Sequence, residues 1–342
     1  MRALQLLNER QLEITNIAPP PSPLPDEVTV RIKAVALNHI DVWGWRGMAF
    51  AKRKMPLIIG AEASGEVIKV GDSVENLQLG QIVSLYGAQT CGVCQACHEG
   101  QDNLCTAVKG VYGFHLDGFA CEFVNLPARL LVPAPPQCDE FQAAVAPITF
   151  GTVEHMLFDN AKLQAGEIIL IQAGGSGIGS AAIQLAKHMG CTVITTVGSD
   201  EKIAKAHSLG ADHVINYRKD RFEGVVRKLT QKKGVDVVFE HVGADTWNGS
   251  LLCMKKGARL VTCGSTSGVS ASINLMQLFQ QQLKIFGSFG CRMENMKNAM
   301  QKMAQKAVHP VIDTIVGLDE MDTALNRMES RDVFGKIILK IN

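Results

Sequence analysis

The run from Glu167 to Met189 constrains this chain more than any other stretch. It reads Glu-Ile-Ile-Leu-Ile-Gln, then Ala-Gly-Gly-Ser-Gly-Ile-Gly-Ser, then Ala-Ala-Ile-Gln-Leu-Ala-Lys-His-Met. Four consecutive apolar residues, Ile168 to Ile171, predict a strand covered on both faces. After the turn, Ile178, Ala181, Ala182, Leu185, Ala186 and Met189 recur at helical spacing. A turn holding Gly174, Gly175, Gly177 and Gly179 lets the backbone approach a pyrophosphate, whose charge would rest on N–H groups at the helix N-terminus. Gly174 and Gly179 take the first and third glycine positions of the dinucleotide-binding spacing, and Ser176 takes the second. Alone, the pattern equally describes an ordinary tight turn between strand and helix.

The residues beyond this turn extend the pattern. Strands are predicted at 168–172, 192–197, 213–216, 235–240, 258–263 and 284–289, with helical segments between most of them, the rhythm of a doubly wound parallel sheet. Residues 1 to about 125 read differently. Val28, Val30 and Ile32 alternate with Thr29, Arg31 and Lys33, and Glu66 to Val70 precedes a Gly71-Asp72 turn, so short antiparallel strands are expected. A Pro-rich passage at 132–136 leads into a helical stretch at 140–158. The Met-rich helix 295–306 and the strand 336–341 break the alternation and are expected to return to the first domain. With 342 residues, a two-domain chain is the natural expectation: 1–125 with 293–342, and 126–292.

A net charge of +1 gives no reason to expect nucleic acid or an anionic membrane as partner, which leaves a small-molecule substrate. Charges at Arg2, Glu9, Arg10 and Glu13 and prolines at 19–21 deny the N-terminus a signal peptide's apolar core, and no apolar run reaches membrane-spanning length. A cytoplasmic location is therefore expected, where ten cysteines serve as thiols and metal ligands rather than disulfides. Cys91, Cys94, Cys97 and Cys105, spaced C-x2-C-x2-C-x7-C, can close a tetrahedron around one structural Zn²⁺ with no open position. The remaining six lie singly in apolar contexts and read as small buried hydrophobes.

In order and spacing, Leu37-Asn38-His39-Ile40-Asp41, Gly60-Ala61-Glu62-Ala63-Ser64-Gly65, the cysteine lobe, Ala173 to Gly179, Val197-Gly198-Ser199, Phe239-Glu240-His241-Val242-Gly243 and Gly335 to Leu339 carry a resemblance. The chain resembles the medium-chain dehydrogenase/reductase superfamily, the zinc alcohol dehydrogenases and quinone oxidoreductases, over nearly its whole length. The resemblance implies a GroES-like β domain bearing the zinc lobe, a Rossmann domain, an active site in the cleft between them, and a homodimer or homotetramer. Zinc alcohol dehydrogenases place ligands of a second, catalytic zinc at the positions of Asn38, Ala61 and, nearby, Ile148. A catalytic zinc needs about three protein ligands and an open position, which Asn, Ala and Ile do not supply. The resemblance is therefore to the zinc-independent reductases, which pass hydride to an activated carbon–carbon double bond or to a quinone.

An NAD-specific fold puts a carboxylate at the end of its second strand. Gly198 supplies none, while Ser199, Lys202 and, by resemblance, Tyr217 suit the 2′-phosphate of NADPH. Ser199 is equally a helix cap, and Asp200 and Glu201 would repel phosphate if turned inward. The resemblance further implies cofactor contacts from Thr152, Val242, Cys263, Gly264, Phe286, Gly287 and Lys336, besides Gly174, Gly175, Ser176, Gly177, Ile178 and Gly179. Hydride addition builds charge on a carbonyl oxygen, which needs aimed donors. Asn38 is the candidate by position, as donor, as a clamp on the nicotinamide ribose, or as a structural loop amide. Trp43 stands where related reductases often have Tyr, so water or His39 is left to deliver the proton. The expected activity is NADPH-dependent reduction of an α,β-unsaturated carbonyl, an enone or enoyl thioester. Alternatives are a quinone reductase, a zinc-dependent alcohol dehydrogenase and a non-enzymatic NADPH-binding protein.

Overall fold

A computed structural model of the chain describes residues 1–48 and 53–341. Two compact units emerge, Met1–Gly151 with Cys291–Asn342, and Thr152–Gly290. Among the described residues no helix is long and apolar enough to cross a membrane.

Among the described residues the first unit holds two sheets. Arg2–Asn8 pairs with Gln11–Asn16 on one side and Leu57–Ile58 on the other. The larger sheet is centred on Glu27–Ala36, flanked by Ala63–Val70, Phe123–Pro127 and Lys336–Lys340, all antiparallel to it. Of the alternation read at 28–33, Val28, Val30 and Ile32 are buried and Arg31 faces solvent, but Thr29 is buried as well, its hydroxyl donating to Asn125 Oδ1 at 2.8 Å. Further along, Ala34, Val35 and Ala36 are buried in succession, so this strand ends covered on both faces.

The sequence-based boundary near residue 125 differs from the structure, where 126–151 lies with the first unit. Leu131–Pro133 pairs with Ile82–Leu85, and Ser64 Oγ donates to the Glu140 carbonyl at 2.6 Å, so sheet pairing and a buried hydrogen bond hold this passage. The chain rejoins the unit at Cys291, whose carbonyl accepts a 2.6 Å hydrogen bond from Tyr86 Oη. The strand Ile312–Val316 and the helix Met321–Glu329 were not expected. The strand is half-exposed and, among the described residues, pairs only with the distant Lys336–Lys340, parallel to it.

In the second unit six parallel strands form one sheet: Ile168–Ile171, Thr192–Val197, His213–Asn216, Val235–Glu240, Met254–Thr262 and Lys284–Gly287. They lie in the order third, second, first, fourth, fifth, sixth, the doubly wound dinucleotide-binding arrangement. Ile169, Leu170 and Ile171 are wholly buried, as a central strand between helical layers requires. One core cluster joins Leu170, Ile194, Val238 and Leu260 to Phe222, Val226 and Leu251. Because every strand is parallel, Gln172, Gly198, Val242, Gly264 and Gly287 all follow the carboxyl edge of the sheet, where such folds bind ligands.

Candidate active site

At the carboxyl end of the first strand the chain turns sharply. Ala173 takes a left-handed conformation at φ 49°, and its N–H donates to Thr196 Oγ1 at 2.9 Å, while Gly174 N–H donates to the Thr196 carbonyl at 2.8 Å. Two glycines are obligatory for packing: a Cβ on Gly174 would lie 2.2 Å from Thr195 Oγ1, and one on Gly179 would lie 2.3 Å from the Ala173 carbonyl oxygen. Ser176 caps the helix Gly177–His188 by accepting from Gly179 N–H at 3.0 Å. The N–H groups of Gly175, Gly177 and Ile178 have no protein acceptor among the described residues. A close-packed turn with unclaimed donors at a helix N-terminus fits a pyrophosphate.

Beyond the second strand, Tyr217 lies across Gly198: a Cβ there would sit 2.7 Å from its hydroxyl oxygen. Ser199 follows, and its carbonyl accepts from Lys202 N–H at 3.3 Å. Asp200 does not face them as a bare charge. Asn216 Nδ2 donates to its carboxylate at 2.7 Å and Lys219 pairs with it, and these partners hold the carboxyl below its ordinary range. The residue at the N-cap of the helix Glu201–Ser208 is Asp200 rather than Ser199, and its side chain makes no cap hydrogen bond.

Along the same edge, Val242, Cys263 and Gly264 come together, because the Val242 carbonyl accepts from Ser267 N–H and Oγ, each at 2.8 Å, and Cys263 N–H donates to the Glu240 carbonyl at 3.4 Å. Phe286 and Gly287 pair in register with Val261 and Thr262. Thr152, at the start of this unit, is buried. His241 Nε2 lies 2.8 Å from the Gln172 carbonyl, and burial pushes the ring below its ordinary pKa, so it is a neutral donor at pH 7.

In the first unit, Asn38 precedes the helix His39–Trp45, and its N–H donates to Asp41 Oδ2 at 2.8 Å. Its amide is fully engaged. Nδ2 donates to the Ala36 carbonyl at 3.0 Å and to Glu62 Oε2 at 2.9 Å, and Oδ1 accepts from Lys336 Nζ at 2.9 Å. With both N–H bonds turned inward, Asn38 has none left for a substrate oxygen, and of the roles considered the structural one suits this geometry. Lys336 is buried too. Its ammonium donates to the Leu37 carbonyl at 2.5 Å and Glu62 Oε2 at 3.1 Å besides Asn38, which accounts for all three protons. His39 is exposed, and its ring centroid lies 6.5 Å from that of half-buried Trp43.

Glu62 is the centre that sequence reasoning passed over. Wholly buried, it accepts from Ile148 N–H at 2.7 Å, Thr149 N–H at 2.5 Å and Thr149 Oγ1 at 2.8 Å, as well as from Asn38 and Lys336. Its carboxylate thus touches two of the three positions that would carry catalytic-zinc ligands, and the third, Ala61, precedes it. An amide, a methyl and a branched alkyl side chain offer that position no soft ligand. The signal was available: a carboxylate within Ile-Ile-Gly-Ala-Glu-Ala-Ser-Gly needs a buried partner.

The sulfurs of Cys91, Cys94, Cys97 and Cys105 all lie within 4.8 Å of one another, the one such metal-ligand group among the described residues. Backbone N–H groups already point at them, Cys94 N–H to Cys91 Sγ at 3.3 Å and Cys91 N–H to Cys105 Sγ at 3.2 Å. Arg129 lies against Gly92 of the same loop and donates to Thr90 Oγ1 at 3.2 Å, which places a cation in the cysteine loop. Four converging sulfurs with N–H support fit a closed tetrahedral Zn²⁺.

The description "Alcohol dehydrogenase GroES-like domain" matches residues 24–136, and "Zinc-binding dehydrogenase" matches residues 177–305. The chain is 33% identical over 263 residues to a quinone oxidoreductase of Salmonella typhimurium, covering 77% of this chain and 72% of that one. It is 29% identical over 321 residues to an acryloyl-coenzyme A reductase of Metallosphaera sedula, covering 93% of each. Among solved structures, an NAD-dependent alcohol dehydrogenase superposes with a TM-score of 0.94 at 35% identity, over 100% of both chains.

Proposed function

The chain belongs to the medium-chain dehydrogenase/reductase superfamily of oxidoreductases, and from that premise we propose that it reduces the activated double bond of an α,β-unsaturated carbonyl, an enone or enoyl thioester, with NADPH and without a catalytic zinc. The observation that carries this reading is the buried cluster around Glu62, whose carboxylate is held by the Asn38 amide, the Lys336 ammonium and the Ile148 N–H, while Asn38, Ala61 and Ile148 stand where metal-dependent relatives have zinc ligands. Alcohol oxidation at such a centre would lack a Lewis acid to acidify the hydroxyl. The likeness to acryloyl-coenzyme A reductase supports a thioester substrate, and the likeness to a quinone oxidoreductase supports a quinone as the second reading.

When bound, NADPH supplies the hydride. The residues of this chain do the rest: the N–H groups of Gly175, Gly177 and Ile178 hold the pyrophosphate, and Ser199, Lys202 and Tyr217 hold the 2′-phosphate. The pairing of Asp200 with Lys219 and Asn216 supports this preference, because it neutralises one of the two acidic groups, Asp200 and Glu201, that would repel a phosphate. His39, exposed at the N-terminus of its helix, is the residue proposed to relay the proton, and Trp43 forms an apolar wall beside it. The outer edge of Lys284–Gly287, unpaired among the described residues at the end of the six-stranded sheet, supports a homodimer.

NADPH and NADH oxidation should be followed over a panel of enones, enoyl-coenzyme A esters, quinones, aldehydes and ketones, beside elemental zinc analysis. Turnover of enones or enoyl thioesters with about one zinc per chain is expected. Consumption of aldehydes or ketones alone, with about two zinc ions per chain, overturns the reading. Lys202→Ala should weaken NADPH about tenfold or more while leaving NADH nearly unchanged, since only the 2′-phosphate loses a charge partner. Equal loss for both nucleotides contradicts the assignment.

A further inference from the structure

Glu240 ends the fourth parallel strand, wholly buried, and nothing in the proposed chemistry uses it. Donors ring its carboxylate. Oε1 accepts from Val242 N–H at 2.7 Å and Gly243 N–H at 3.2 Å; Oε2 accepts from Ser250 Oγ at 2.8 Å; the Thr246 hydroxyl lies 3.0 and 2.9 Å from the two oxygens.

From Ser250 the bonds continue. Gln172 Nε2 donates to Ser250 Oγ at 3.0 Å, Thr196 Oγ1 donates to Gln172 Oε1 at 2.8 Å, and Ala173 N–H donates to Thr196 Oγ1 at 2.9 Å. Every proton in this chain points the same way, from the glycine turn toward Glu240. Each hydroxyl accepts one bond and gives one, so a chain of this polarity must end on a group that only accepts. A carboxylate does so; an amide would set its own N–H groups against the arriving donors. The start of the chain matters equally, because Ala173 sits at φ 49°, a conformation unfavourable for a residue with a Cβ, and needs an anchor.

We propose that Glu240 is a positioning residue for the cofactor turn: acting through Ser250, Gln172 and Thr196, it anchors Ala173 and orders the glycine turn and the Val242–Thr246 loop as one unit. The proposal rests on the reading of that turn as a dinucleotide cradle. It adds that the cradle is preset in the cofactor-free protein, by a charge on another strand.

The test uses the full-length, cofactor-free chain as wild type, Glu240→Gln, Thr196→Val, Thr196→Ser and the double variant Glu240→Gln/Thr196→Val. Two quantities are measured: amide hydrogen exchange of the 171–179 segment, and calorimetric Kd for NADPH and NADH. Glu240→Gln and Thr196→Val should each speed exchange in the turn and weaken both nucleotides about tenfold, since each breaks the same chain of bonds. The double variant should bind no worse than the weaker single, and Thr196→Ser, which keeps the hydroxyl, should bind like wild type. Unchanged exchange and Kd in Thr196→Val, additive losses in the double variant, or equal loss in Thr196→Ser would overturn the proposal. Should Glu240→Gln fail to fold, the Thr196 pair decides alone, since it lies at the far end of the chain. Wild type binding neither nucleotide overturns the cradle itself; wild type binding with Thr196→Val unaffected overturns only the role of Glu240.

Discussion

Glu62 and Lys336 lie 274 residues apart in sequence and 3.1 Å apart in the folded chain, with almost no exposure to solvent. Two buried opposite charges attract strongly, but each left water at a cost, so removing one is worse than removing both. Glu62→Gln or Lys336→Met alone should lower unfolding free energy by about 3–5 kcal/mol. The double variant should lose less than the sum, which urea unfolding of all four proteins will measure; strict additivity would deny the coupling. Asp41, on the adjoining helix, offers a pH test. Burial pushes its carboxyl from the ordinary 3.8 up to about 6, against the hydrogen bond from Asn38 N–H and the charge of Lys336. A folded pKa above the unfolded one means the native state favours the protonated form. The stability this group contributes is therefore full below pH 3.8 and is lost as pH rises through 6. Asp41→Asn stays neutral throughout. Its stability relative to wild type should rise across that window by ~2–3 kcal/mol and then level off, and parallel unfolding profiles would refute the assignment.

At the scale of elements, legibility followed the density of local signal. The six parallel strands of the second unit were foreseen within a few residues because continuous apolar runs bounded by Gly or Asp admit few other readings. Helix His39–Trp45 was not foreseen: at seven residues, with buried Val42, Gly44 and Trp45, it has no polar face to betray its period. The cysteine lobe shows the opposite case, with spacing that spoke clearly and almost no regular structure. Its helix Gln95–His98 and the turn Asp102–Leu104 bury no residue, so they have no core of their own to hold them. A metal held by the four sulfurs would supply folding energy that this loop otherwise lacks. Chelation should release about one zinc per chain and open residues 91–105 to proteolysis, while NADPH binding in the second unit persists. Resistance of the stripped loop to protease would show that the metal is not its support.

For the molecule as a whole, the most conspicuous surface lies on the second unit. Strand Lys284–Gly287 ends the six-stranded sheet with its outer side unpaired among the described residues. Around it Leu275, Met276, Phe279 and Phe289 are 60% or more exposed. An open strand edge beside large apolar side chains is what monomers avoid and what a second copy can cover by pairing the same strand antiparallel. Sedimentation should therefore find a dimer, and Phe279→Lys should shift it to monomers with the fold intact by circular dichroism. A wild-type monomer at micromolar concentration would contradict this assembly.

What the sequence by itself determined was whatever chemistry is encoded in neighbouring residues. A strand, a glycine turn and a helix follow one another at 168–188, four cysteines fall within fifteen positions, and a carboxylate is missing after Val197. Such features depend on backbone reach and local periodicity, which survive in one dimension. The tertiary structure alone decided which polar groups meet. The partners of Glu62 come from residues 38, 148, 149 and 336, and the chain from Glu240 to Ala173 passes through three strand ends and a helix. A buried polar group must find its partner wherever the fold brings one near. Asn38 is the case in point: its position suggested a donor to substrate, and only the fold revealed that both of its N–H bonds were already taken.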